Sequence, residues 1–177
     1  TRTWPTSVHF TTRQRAAYNA VLQAQQVAID MVRPTVRTKD IHVAASLELA
    51  KFLVDENLLT CNAEDAVESG VHALFFPHGI GHLLGLDVHD MENFGDVAAY
   101  SEGRTRSEQF GLSYLRMDLD LQPNMVVTIE PGFYIVPAIL DNPRFRSTFK
   151  ELVNWDQVEQ WRGFGGIRIE DNIRCTF

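Results

Sequence analysis

Cysteine is scarce. The 177 residues hold two, Cys61 and Cys175, too few for a disulfide framework or a thiolate metal site, and both read as reduced, ordinary residues. No apolar run approaches the ~20 residues that span a bilayer. Methionine does not open the chain, and Thr1-Arg2-Thr3-Trp4-Pro5 has no apolar core of a secretory leader. That opening reads as a fragment or a processed chain, while the two reduced cysteines suggest a cytoplasmic protein. Clustered positive charge is missing too. The net charge is −7, and Arg104, Arg106 and Arg116 are scattered among Glu102, Glu108 and Asp118, so no basic stripe forms for a phosphate backbone. Neither nucleic acid nor a membrane is an expected partner. What is present, 45% apolar and 22% charged residues, suits one domain over 1–177 that buries roughly 70% of its unfolded surface.

The chain is organised with helices first and strands later. Residues 1–10 read as the tail of a strand leading into a turn at Pro5. Thr11 or Thr12 can cap a helix running to about Val32, where Arg33-Pro34 ends it. Thr38 offers a second cap, and Ile41, Ala44, Leu47, Leu49, Ala50, Leu53 and Val54 recur at helical spacing to about Leu58. Asn62 can cap a short third helix reaching about Ala73. Beyond residue 74, short apolar runs and glycines suit strands and turns. Residues 91–121 form a long mixed segment with a helical piece, a lid, an oligomer contact or a packed excursion. Met125 to Ile129 reads as a strand, Phe149 to Trp161 as a helix, and Ile167 to Phe177 as a closing strand. The expected fold class is α+β, with helices covering one face of a mostly antiparallel sheet.

The chemistry concentrates in residues 75–90. Three of the six histidines, His78, His82 and His89, lie there with Gly79, Gly81 and Gly85 and with Asp87 and Asp90. Imidazoles among glycines and apolar residues suit metal ligation or proton transfer better than packing. His82 and His89 are seven apart, so a straight strand would separate them and a bend or bulge near Gly85 would let them converge. His9, His42 and His72 have no such company and read as surface or packing residues. Glu130 stands at a strand end before Pro131-Gly132, on the face of Val126 and Thr128. Taken alone, it reads as a solvated carboxylate. Arg168 and Glu170 alternate with Ile167 and Ile169, which puts the two polar residues on one face roughly 6.6 Å apart. Read together, His82, Glu130 and Glu170 make an oxygen-rich set for Mn²⁺, Co²⁺ or Zn²⁺, short of donors for two ions.

Pro77-His78-Gly79-Ile80-Gly81-His82 through Leu86-Asp87-Val88-His89-Asp90, then Thr128-Ile129-Glu130-Pro131-Gly132, then Gly166-Ile167-Arg168-Ile169-Glu170-Asp171 resemble three ordered motifs of the pita-bread metallopeptidases. The Leu-Asp-Val-His-Asp form resembles their proline-specific branch, Xaa-Pro dipeptidases (prolidases) and Xaa-Pro aminopeptidases. The resemblance implies a pita-bread fold, a curved mostly antiparallel sheet under helices, and hydrolysis of the bond preceding proline. By that resemblance His82, Glu130 and Glu170 are metal ligands, with Glu170 bridging two ions and Mn²⁺ expected ahead of Co²⁺ or Zn²⁺. His78 and His89 line the substrate site and stabilise the tetrahedral intermediate, Arg168 orients a ligand carboxylate, and Glu130 doubles as general base. The family also uses two aspartates on an upstream hairpin, the second just before a segment that Thr1-Arg2-Thr3 matches. The chain is therefore expected to lack that hairpin and an N-terminal domain, and to be weakly active or inactive alone. A proline-containing peptide, the missing N-terminal portion and a second copy in a homodimer are the implied partners. Two other readings are a catalytically inactive protein-binding module and a creatinase-type hydrolase without metal.

Overall fold

The computed structural model describes all 177 residues. Helix α1, Thr12–Asp30, begins at a reciprocal cap: the Thr11 hydroxyl accepts from the Gln14 N–H while the Gln14 carboxamide accepts from the Thr11 N–H. Its inner face is built of small residues, Ala17, Ala24 and Ala28 around Val21, which lets it lie close against the sheet and against α2, Thr38–Asp55. Thr38 does not cap α2. Arg37 occupies the cap position, and the Thr38 hydroxyl accepts from the Leu119 N–H and donates to the Met117 carbonyl. The hydroxyl thereby ties α2 to the 91–121 segment. Helix α3, Ala63–Ser69, starts on Asn62 as the spacing predicts. It stops at Gly70 rather than Ala73, because Gly70 takes the left-handed conformation (φ +80°) that ends a helix.

Four strands follow: β1, Val126–Ile129; β2, Gly132–Tyr134; β3, Gly166–Arg168; β4, Asp171–Arg174. Antiparallel pairing joins β1 to β4 and β2 to β3. The expected single closing strand is thus two, and the sheet is two short ribbons. Both share one register, Val126 opposite Arg174 through Ile129 opposite Asp171, then Gly132 opposite Arg168. Continued across the gap, that register sets Glu130 against Glu170. The ribbon opens there because each residue's N–H bonds elsewhere: Glu130 donates to the Ile80 carbonyl and Glu170 to the Thr1 carbonyl. Residues 80–84 run antiparallel to β1, and residues 1–3 line the opposite edge through Thr3 and Arg168.

In the 91–121 segment, α4, Asp96–Ala99, is the α-helical piece, flanked by 3-10 turns at Glu92–Phe94 and Leu112–Tyr114. Arg37 grips the buried Asp118 with two 2.6 Å bonds, and Arg104 bonds Asp120. The continuous helix expected over 149–161 does not form. Instead α5, Pro137–Leu140, α6, Pro143–Thr148, and α7, Trp155–Glu159, are three short pieces. Proline at the first turn starts the first two, Asn154 caps the third, and residues 149–154 bend to bond Leu58 and Thr60. Between helices and sheet the core is aromatic. Phe52 of α2, Phe133 of β2 and Trp161 meet edge to face at 5.3–6.0 Å. No helix is long and apolar enough to cross a membrane.

Candidate metal centre

The opening between the ribbons positions two carboxylates, and the 80–84 segment delivers an imidazole to them. One ligand atom each of His82, Glu130 and Glu170 lies within 4.8 Å of the others. His82 and Glu130 are 5% and 8% exposed. The His82 Nδ1 lies 2.8 Å from the Leu83 carbonyl, so it carries the proton and donates there. Its Nε2 is left as a lone pair facing Glu130 Oε1 at 3.4 Å. A neutral imidazole nitrogen and two carboxylates, oriented toward a common point and partly screened from water, fit a divalent cation. The other Glu130 oxygen is held by Arg168 Nη1 at 3.1 Å.

Arg168 also donates from Nε to the Tyr134 hydroxyl at 2.7 Å. That hydroxyl in turn sits 2.9 Å from His78 Nε2, and His78 Nδ1 sits 2.8 Å from the Gly79 carbonyl. With Nδ1 donating, Nε2 accepts from Tyr134. Burial, with the Arg168 and Arg116 cations nearby and against the Gly79 hydrogen bond, holds His78 down to about 4. It is neutral at neutral pH. His89 lies farther out, its side chain 44% exposed and its Nδ1 3.4 Å from Glu92. Its ring meets that of His82 edge-on at 4.4 Å, so the chain does bend between them. The bend is a turn over 85–90 in which the Asp90 carboxylate accepts from the Asp87 N–H and fills the space a Gly85 side chain would need. Asp87 and Asp90 shape this turn.

All six residues singled out by their sequence pattern, His78, His82, His89, Glu130, Arg168 and Glu170, line one cleft of about 310 Å³. Arg116 lines it as well, and Tyr134 stands behind it, bonded to both Arg168 and His78. Alternation continued through Gly132 would put Tyr134 on the face of Glu130, a signal hidden by the strand end expected at Pro131-Gly132. Arg116 had no such signal. It lies among acidic residues in the irregular segment and reaches the cleft only through the chain's path, paired there with Glu92. Arg116 and His78 also border a neighbouring cleft of about 370 Å³ whose walls come from the 91–121 segment.

The sequence of this chain matches the family model for metallopeptidase family M24 over residues 1–176. It is 45% identical over 157 residues to a Xaa-Pro dipeptidase of Stenotrophomonas maltophilia, covering 89% of the chain and 34% of that protein. A Xaa-Pro dipeptidase of Shewanella oneidensis is 43% identical over 155 residues, 87% of the chain and 34% of that protein. Among solved structures, proline aminopeptidase P II from Yersinia pestis superposes with a TM-score of 0.71 at 32% identity, covering 99% of the chain and 32% of that protein. Zn-substituted E. coli aminopeptidase P in complex with product gives 0.70 at 31% identity, with the same coverage. The chain spans about a third of the length of the relatives it matches.

Proposed function

This chain belongs to metallopeptidase family M24, and from that premise we propose that its cleft hydrolyses the peptide bond preceding proline, as part of a longer protein. The observation that carries the reading is the meeting of His82, Glu130 and Glu170 within 4.8 Å. These three would hold a divalent ion, Mn²⁺ first, with Co²⁺ or Zn²⁺ as substitutes. A second ion would need donors from outside this chain, since one imidazole and two carboxylates suit a single site. Carboxylates on an upstream hairpin, within an N-terminal portion that precedes this catalytic domain, are the proposed source, with Glu170 as the bridge. A bound ion would polarise the scissile carbonyl and lower the pKa of a water molecule.

The chain's own residues divide the remaining work. Glu130, clamped through one oxygen by Arg168, is positioned to accept a proton from water. His78, neutral and fixed between Gly79 and Tyr134, forms a rigid wall. His89, whose Nδ1 turns to Glu92, keeps its other nitrogen for the substrate carbonyl as charge develops there. Arg116, a cation where two clefts join, suits the free carboxylate of a short substrate, which favours dipeptides over longer chains. The same reading takes the protein to act in the cytoplasm as a homodimer on proline-containing peptides. A binding module would have no use for a converging His-Glu-Glu trio, and a hydrolase without metal would have no use for its bare lone pairs.

Titrating the intact, metal-depleted protein with Mn²⁺, then assaying a Xaa-Pro dipeptide, tests this. Wild type should bind and hydrolyse, and H82A and E170Q should lose at least about a hundredfold in metal affinity. Hydrolysis that survives chelation and both substitutions would refute it.

A further inference from the structure

His82 and Thr128 face each other across the 80–84 segment and β1, where an antiparallel pair ordinarily exchanges two backbone hydrogen bonds. Only one is made. The Thr128 N–H donates to the His82 carbonyl at 3.0 Å, but the His82 N–H donates to the Thr128 hydroxyl, also at 3.0 Å. Gly81 accounts for the difference. The Thr128 carbonyl presses against Gly81 so closely that a side chain there would put its Cβ 1.8 Å from the oxygen. That approach turns the carbonyl away from the His82 N–H, and the hydroxyl takes its place. The same hydroxyl has one proton to give, and Glu130 Oε1 lies 3.2 Å away to receive it. Thr128 is 1% exposed, so no water competes for either bond.

We propose that Thr128 is a positioning residue for the metal centre, its single hydroxyl fixing the backbone of His82 and the carboxylate of Glu130 relative to each other. The inference rests on the reading of that centre given above. A hydroxyl that accepts from one ligand's backbone and donates to another ligand's side chain sets both at once. Threonine's stiff χ1 on a strand keeps the hydroxyl aimed. Serine could make the same two bonds with more freedom. Valine fills the same space and makes neither.

The test is Mn²⁺ affinity of the intact, metal-depleted protein by calorimetry. Positioning through hydrogen bonds predicts that T128V binds roughly 10-fold to 100-fold more weakly and that T128S stays near wild type. A packing role predicts the reverse order, because valine keeps threonine's one methyl group and serine loses it. Hydrogen exchange in the metal-free protein adds a local readout. In T128V the His82 amide should exchange faster, while those of Leu84 and Glu130, which donate to backbone carbonyls, should not. Should T128V fail to fold, T128S and T128A, which differ only by the hydroxyl, pose the same question. T128V binding as tightly as wild type, or T128S binding more weakly than T128V, overturns this proposal and leaves the metal centre standing. Wild type that binds no Mn²⁺, and is matched by H82A, brings down both.

Discussion

Acid should unfold this protein partly through a histidine remote from the metal centre. His42 on α2 is fully buried. Its Nε2 lies 3.4 Å from the Ser46 hydroxyl, its Nδ1 has no partner, and the Phe76 ring stands 5.3 Å away. A proton added there would find no anion and would be cut off from solvent. Burial above all, then the neighbouring His72, His78 and Lys39, pushes this histidine down to about 3. In the unfolded chain it titrates near 6.5. Between these values the unfolded state binds more protons, so stability is intact above about pH 6.5 and falls as the pH drops toward 3. At pH 5 the loss from this residue alone is about 2 kcal/mol, a large part of a typical 5–15 kcal/mol total. Other groups titrate over the same range, so the measurement must be a difference. Urea denaturation of wild type and H42L at pH 8 and pH 5 isolates the residue, because His72, His78 and the carboxylates cancel. The variant should gain about 2 kcal/mol on wild type between the two pH values. A gap that stays constant within about 0.5 kcal/mol would refute the reasoning.

Further outcomes follow from single contacts. G81A should force the 80–84 segment off β1, because its Cβ would overlap the Thr128 carbonyl; circular dichroism melts should show a loss of about 2 kcal/mol or more, together with weakened Mn²⁺ binding. D118N should cost about 2 kcal/mol in urea unfolding, since Arg37 would keep one neutral partner where it now has two carboxylate bonds of 2.6 Å. A variant as stable as wild type would mean that the Arg37 pair is idle. R116A should raise KM for a Xaa-Pro dipeptide roughly tenfold or more and leave a longer Xaa-Pro peptide little changed. Equal effects on both substrates would remove Arg116 from carboxylate recognition. Y134F deletes a hydroxyl shared by Arg168 and His78, and steady-state kinetics should show the loss in kcat more than in KM.

Much of the frame was legible from residue order. Thr11 and Asn62 marked helix starts because a side-chain oxygen three residues before a free N–H is a local arrangement that any chain containing it can adopt. Glycines, prolines and alternation located the turns and the strand before Glu130. Other expectations failed where a distant partner outbid a local preference. Thr38 has the chemistry of a cap, yet its hydroxyl serves residues 117 and 119. The helix expected over 149–161 broke because residues 149–154 bond residues 58–60, which follow α2 and lie some ninety positions earlier in the chain. His42 and His72 read as packing or surface residues and are packing residues, but their unpartnered nitrogens are invisible without the neighbours.

Sequence by itself determined which side chains are candidates for chemistry, because donor type and short-range spacing are properties of the covalent chain. It also determined that helices would cover strands, since periodicity decides which face is apolar. Tertiary structure alone decided that His82, Glu130 and Glu170 meet. Their separation depends on one shared register through β1–β4 and on two backbone N–H groups, of Glu130 and Glu170, leaving the ribbon for outside carbonyls. It alone brought Arg116 to the cleft and made one threonine hydroxyl common to two candidate ligands. Hydrogen-bond register joins residues far apart in the chain, and a local pattern carries no record of it.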